Sequence, residues 1–248
     1  MEKSNKICKY QLMSSIRSTL IYYSILIGIL ILTLILKFTS PGSNSEVNGI
    51  EIATAIFIFI VALNSFKSSF YFSQGNNISR KSFIIGTIKF GIIMASVLSL
   101  IDVIINRVLN IFMSCPTIFD IIYGQVSYGV NASWELTLNR SISNLFGTYV
   151  WTFALYVVIF MIGLLITMIY FRLNKLGQII VSCSPVILSI AINNFSHYIC
   201  NEVWTFIENA FGTNSKNPYM AILTFIILSI LAVTIQYLLI KKAVADKI

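Results

Sequence analysis

The chain reads as an all-α integral membrane protein, with six transmembrane helices, both termini in the cytoplasm, an N-terminal amphipathic interface helix and outer interfacial helices. Three observations predict this. Six apolar stretches, at 19–36, 52–66, 83–105, 147–171, 176–196 and 219–240, approach the length of a bilayer crossing, which takes about 20 residues at a rise of about 1.5 Å each. Hydrophobic residues make up 57% of the 248 and charged residues only 10%, a composition that excludes an ordinary cytosolic enzyme. The connections between stretches also alternate in charge, and the excess of Lys and Arg fixes the cytoplasmic side. Backbone polar groups have no water to bond inside lipid, so the stretches must be helical.

The charge count sets the orientation. Lys3, Lys6, Lys9, Arg17, Lys67, Arg80, Lys81, Arg172, Lys175, Lys241, Lys242 and Lys247 fall on one side, twelve in all, against Lys37, Arg107, Arg140 and Lys216 on the other. The second side also holds Glu46, Glu51, Asp120, Glu135, Glu202 and Glu208. The net charge of +8 is therefore topological, and no nucleic-acid partner is expected. Residues 1–18 form one unit and 19–248 a single membrane domain.

In chain order, residues 3–18 carry Ile7, Leu12, Met13 and Ile16 among Lys9, Gln11 and Arg17. This suits either a helix lying on the inner leaflet before the first span or a frayed basic tail. The first apolar run is longer than a signal-peptide core and lacks a small-residue cleavage site, so it is read as a retained span. The first outer connection, 37–50, contains Pro41-Gly42-Ser43-Asn44 and is a turn. The second, 106–146, places Trp134, Leu138, Ile142 and Leu145 at helical spacing. The third, 197–218, does the same with Ile199, Val203, Phe206, Ile207 and Ala210. Each is expected to hold an interfacial helix, with Trp134 and Trp204 at headgroup depth.

Ionisable residues inside spans are the default place to look for function. Lys89 and Asp102 occupy the third stretch, thirteen positions apart, about 20 Å along a helix and too far for an ion pair. Structural roles are expected for both, Lys89 snorkelling to the inner headgroups. No catalytic constellation is present: His197 is the single histidine, and HExxH, GxSxG and the GxxxxGK[ST] phosphate loop are all missing. Cys8 and Cys183 read as packing residues, and Cys115 and Cys200 share the outer side, where a disulfide is compatible with the compartment.

The inner connection 67–83 holds Phe70, Tyr71 and Phe72, a Gly75-Asn76-Asn77 break, Ile78, and Ser79 as a helix N-cap ahead of Arg80 and Lys81. Exposed aromatics before a capped basic helix suit a docking surface. They equally suit interfacial aromatics beside positive-inside charge.

Two segments, Lys9-Tyr-Gln-Leu-Met-Ser-Ser-Ile-Arg17 and Asn77-Ile-Ser-Arg-Lys-Ser-Phe83, resemble the type-2 permease subunits of ABC transporters, mostly exporters. The six-span order with outer helices before the last span is similar to that family over the whole length. Gln11 departs from its pattern, which has an acidic residue in the N-terminal helix, and the outer connection after the third span is longer. The resemblance implies that 19–248 is a permease domain. Its partner is then a cytosolic ATP-binding subunit that carries the ATP and Mg, so this chain holds no cofactor and is not itself an enzyme. The partner's contacts are Phe70, Tyr71, Phe72, Ile78, Ser79, Arg80, Lys81 and Phe83, with Arg172 and Lys175 secondary. Ile7, Leu12, Met13, Ile16 and Arg17 form the interface helix. A second permease subunit, identical or related, completes the path in the cell membrane, for an amphipathic peptide, antimicrobial or lipid-like substrate. A substrate-binding importer subunit and a non-transporting immunity or sensor protein are the alternatives.

Overall fold

The computed structural model describes residues 2–39, 47–124, 126–128, 134–136, 141–194 and 197–241, with the backbone alone at 126–128, 134–136, 185–194 and 197–201. In chain order the elements are α1 (Glu2–Thr39), α2 (Ile50–Gly75), α3 (Arg80–Phe112), α4 (Ile118–Tyr123), strands β1 (Val126–Tyr128) and β2 (Trp134–Leu136), α5 (Ile142–Arg172), α6 (Lys175–Asn194), α7 (His197–Ala210) and α8 (Pro218–Lys241). Among the described residues, α1, α2, α3, α5 and α8 are long and apolar enough to cross a membrane. The fifth apolar stretch is the 20-residue helix α6.

Polar caps start the helices where apolar periodicity begins. The Ser79 hydroxyl accepts from the Ser82 amide at the head of α3, as expected from the sequence, and Ser141 does the same for Asn144 at the head of α5. Thr117 and Asp120 form a reciprocal capping box on α4.

Helix α5 is the centre of the bundle, packed against α2, α3 and α8, while α1 lies along α3. Lipid supplies no hydrophobic drive between helices, so close approach and interhelical hydrogen bonds hold them together. At Gly86 of α3 a Cβ would sit 2.7 Å from the Ser4 carbonyl oxygen of α1, and at Gly163 of α5 one would sit 2.9 Å from the Ala62 Cβ of α2. Only glycine lets these backbones meet. Thr167 of α5 donates to the Leu63 carbonyl of α2 at 3.1 Å, and Gln236 of α8 to the Met161 carbonyl of α5 at 2.7 Å. The outward faces are apolar: Leu20, Ile21 and Ile25 of α1 and Leu223, Ile226 and Ile230 of α8 are all exposed, as lipid-facing surfaces should be.

The N-terminal segment corrects one expectation. No break separates 1–18 from the first span within the described residues. Helix α1 is continuous over 38 residues, about 57 Å at the helical rise against a hydrocarbon core of about 30 Å. It runs parallel to α3 throughout. Gln11 meets Thr87, Ser15 meets Met94, Tyr23 meets Asp102, and Lys37 donates to the Phe112 carbonyl. Ile7 is buried against α3 and Leu12 half-buried, whereas Met13, Ile16 and Arg17 face outward. The five do not share one face.

The outer connections are corrected in part. Trp134 lies in strand β2, paired with Tyr128 of β1, and not in a helix; Ile142 and Leu145 belong to α5, and Leu138 lies outside the described residues. Helix α7 forms where expected, with Trp204 and Phe206 exposed. Helix α3 runs on to Phe112, seven residues beyond the stretch read from sequence. The chain then turns back: the Val47 amide donates to Ser114, and Asn106 to the Cys115 carbonyl. Met113, Cys115, Thr117 and Phe119 are thereby buried.

Candidate functional site

Two constellations stand out, one at an end of the bundle and one inside it. The first is built from the connections α2–α3 and α5–α6 and the C-terminus of α8, which the sequence separates widely. Phe66 and Phe70 of α2, Phe83 of α3 and Phe171 of α5 form one aromatic cluster with ring centroids 5.4–5.8 Å apart. The Arg80 guanidinium donates to the Lys241 carbonyl at 2.8 Å, closing α8 onto the head of α3. A cation on the last carbonyls of a helix also complements its dipole. Around this plug Lys67, Lys81, Arg172 and Lys175 are exposed, so one end of the bundle is basic and free of acidic side chains among the described residues beyond Glu2, itself paired with Lys6.

This placement revises the reading of the inner connection. Residues 67–75 are the last turns of α2, and only Asn76–Ser79 link it to α3. Phe70 and Phe83 are fully buried and Ile78 nearly so, which makes them core residues and corrects the reading of Phe70 as an exposed docking aromatic and of Ile78 and Phe83 as partner contacts. Tyr71 is half-buried against Phe171. Phe72 stays 40% exposed, stacked on Tyr10 of α1 with centroids 4.2 Å apart. Ser79 is exposed as a cap and bonds Ser82. Arg80 is half-exposed and engaged, while Lys81, Arg172 and Lys175 are open to a partner.

The second constellation surrounds Asp102. Its carboxylate, 2% exposed, accepts from the Tyr23 hydroxyl of α1 at 2.9 Å and from the Tyr156 hydroxyl of α5. Tyr22 shares a 2.9 Å bond with Thr54 of α2, and the Tyr156 hydroxyl lies 3.4 Å from the Glu51 carbonyl. Four helices thus meet at one carboxylate. Glu51 was expected in an outer connection but is buried in the first turn of α2, with Asp102 and Asp120 as electrostatic neighbours. The Asp120 carboxylate is satisfied by Thr117 and by Asn144 at 3.0 Å. No group of three metal-ligating side chains occurs among the described residues. A carboxylate held by two phenols from different helices ties α1, α3 and α5 together.

Sequence reading placed Asp102 inside the third apolar helix, where it lies, but missed Tyr23, Tyr156 and Glu51 as its surroundings. A buried carboxylate demands donors, and tyrosines inside apolar helices were the available signal. Lys89 is half-buried and donates to Asn5 of α1 at 2.8 Å. Cys183 is exposed, not packed inward. Cys115 is a free, buried thiol whose Sγ lies 3.4 Å from Asn106 Nδ2; the Cys200 side chain lies outside the described residues. Burial, with the Glu51 charge as a further cause, pushes the Cys115 thiol up to about 11. Comparison with family models, curated proteins and solved structures finds no match to this chain.

Proposed function

We propose that this chain is the membrane-spanning permease subunit of an ATP-driven exporter of the ABC class, with six spans and both ends on the cytoplasmic side. The observation that carries the reading is the basic end. Connections more than ninety residues apart in sequence converge there, and Lys81, Arg172, Lys175 and Phe72 remain presented around a rigid aromatic plug. An end of this kind suits a cytosolic partner with an acidic cleft. The chain lacks a phosphate-loop motif, so ATP and Mg belong to that partner.

The cavities of the single chain support a second permease subunit. Among those lined by described residues are cavities of about 290, 200 and 170 Å³, at or below the lower end of the usual range of about 300–1,000 Å³ for a small-molecule site. Cavities of this size fit a substrate path completed by another copy or a related chain. ATP binding on the partner would act by shifting populations between two arrangements of the permease pair.

The test separates docking from folding. Charge reversal at Arg80 also breaks its bond to Lys241, so the informative variant is Lys81→Glu with Lys175→Glu, both exposed. The tagged chain in mild detergent is expected to retain a stoichiometric ATP-binding subunit, and this variant to lose it while keeping its melting temperature. A chain recovered alone under conditions that preserve its own fold refutes the permease reading and favours a non-transporting membrane protein.

A further inference from the structure

Arg107 is the one lysine or arginine among the described residues that is neither exposed nor bonded. The other half-buried cations have partners: Lys37 on the Phe112 carbonyl, Arg80 on the Lys241 carbonyl and Lys89 on Asn5. Arg107 lies on α3, 27 residues beyond Arg80, and so about 40 Å along the helix from the basic end. Its Nε and Nη2 are buried without a hydrogen-bond partner, which leaves Nη1 as its accessible nitrogen. A guanidinium stays charged and carries donors only. A desolvated charge with no counter-ion is costly, and an anion from outside the chain relieves that cost.

The cavity beside it has room for one. It measures about 200 Å³ and is lined by Arg107, Asn110, Ile111 and Leu145. Asn110 is spent within the chain: its Nδ2 donates to the Cys115 carbonyl at 2.8 Å, and its Oδ1 accepts from the Cys115 amide at 3.0 Å. The guanidinium is therefore the free polar side chain on the wall, and no carboxylate lines it. Ile111 is 76% exposed and Leu145 half-buried, so the remainder is apolar. From the cavity an exposed apolar stripe runs along α3 towards the middle of the bundle. It passes through Val108, Ile104, Leu100 and Val97, at spacings of three and four residues. From Ile111 to Val97 it covers about 21 Å, more than half of a hydrocarbon core of about 30 Å.

We infer that this cavity and stripe bind an anionic phospholipid of the leaflet at the far end from the basic one. The phosphate accepts from Arg107 Nη1, and an acyl chain lies along Val108, Ile104 and Leu100. A wall whose free groups are donors takes an acceptor, and an unneutralised charge takes an anion. The order of cavity first and stripe second, counted from the end of α3, is the order of head and tail in that leaflet. The volume exceeds the roughly 150 Å³ that admits a benzene ring, which suits a phosphodiester better than a bare carboxylate. A zwitterionic head would bring a cation for which the cavity offers no acceptor. This inference does not depend on the docking reading, which concerns the other end.

The probe is a phosphatidylglycerol with a diazirine in its acyl chain, photolysed with the detergent-purified full chain and mapped by peptide mass spectrometry. Adducts are expected on α3 between Val97 and Ile111, falling about tenfold in Arg107→Gln, as loss of one charge-assisted hydrogen bond implies. Without lipid this variant should melt no lower than the wild type, because Arg107 has no partner to lose. Ile111→Glu places a carboxylate one turn from Arg107 and should cut the same adducts with the arginine still present. Adducts on the outward face of α8 stay constant in both variants. Equal labelling by the matching phosphatidylcholine, or labelling unchanged in either variant, overturns the inference. So do adducts erased by inorganic phosphate or by a fatty acid at equal concentration, and a lower melting temperature of lipid-free Arg107→Gln.

Discussion

At the scale of single residues, Asp102 decides more than any other side chain. Asp102→Ala leaves the Tyr23 and Tyr156 hydroxyls in the bundle without their acceptor, and each unsatisfied group costs about 1–3 kcal/mol. Thermal unfolding in detergent should show a loss of several degrees, greater than for Tyr23→Phe, which removes one donor and leaves the carboxylate with another. The double variant Asp102→Ala with Tyr156→Phe should be less destabilised than the two single effects combined, because both act on one contact. Additive losses would show that the network is not coupled. Cys115 supplies a pH-dependent counterpart. Its thiol is raised from 9.0 to about 11 by burial and then by Glu51, so above about pH 9 the unfolded chain loses a proton that the folded chain keeps. The unfolded state then binds fewer protons, and stability falls as pH rises from about 9 to 11. The melting temperature of the wild type should drop more over that window than that of Cys115→Ala; parallel curves would remove Cys115 from the account.

At the scale of elements, the continuity of α1 is the point at which sequence and structure part. Its buried positions Ser4, Ile7, Cys8, Gln11 and Ser15 repeat at three and four residues, a packing face made mostly of small and polar side chains. A search for hydrophobic periodicity instead finds Ile7, Leu12, Met13 and Ile16, because it assumes that the buried face is the apolar one. In lipid the rule reverses, and small and polar residues mark helix contacts. The positions of the apolar stretches, the Ser79 cap and helix α7 were legible because length and capping chemistry act locally. Trp134 was misread because four apolar residues at helical spacing do not exclude a two-stranded ribbon when tertiary pairing intervenes. The burial of Phe70 and Phe83 was illegible because it depends on Phe171, 101 residues after the first and 88 after the second. The α1–α3 contact has its own test. Cysteines at Gln11 and Thr87, in a Cys8→Ser background, should be joined by a short thiol-to-thiol crosslinker about the length of a glutamine side chain, since the native Gln11 amide reaches the Thr87 hydroxyl at 3.2 Å. A control pair at the outward-facing Met13 and Thr87 should not. Gly86→Val, whose side chain would collide with the Ser4 backbone, should abolish the first crosslink. Equal crosslinking of both pairs would mean that residues 2–18 leave α3 and lie elsewhere.

At the scale of the whole molecule, charge is distributed so that the two ends do different work. At one end Lys67, Lys81, Arg172 and Lys175 are exposed, with Arg80 holding the last carbonyl of α8. At the other, Lys37 and Lys216 are turned onto the chain's own carbonyls, of Phe112 at 3.2 Å and Ile122 at 2.7 Å. Lys37 and Lys216 therefore stitch their connections to the bundle, whereas the exposed cations at the basic end remain available to phosphates or to a partner. Positive-inside physics orients a chain by just such an asymmetry, which predicts that the basic end faces the cytoplasm. A fluorescent protein that matures only in the cytoplasm should shine when fused after the C-terminus. An alkaline phosphatase, active only outside, should work when inserted in the turn at 211–217, between α7 and α8. Charge swaps give the causal test: removing Lys81, Arg172 and Lys175 while adding three lysines to the 211–217 turn should drive a measurable fraction of molecules into the inverted orientation. A phosphatase signal from the C-terminus of the unaltered chain would place the basic end outside and take the cytosolic docking surface away with it.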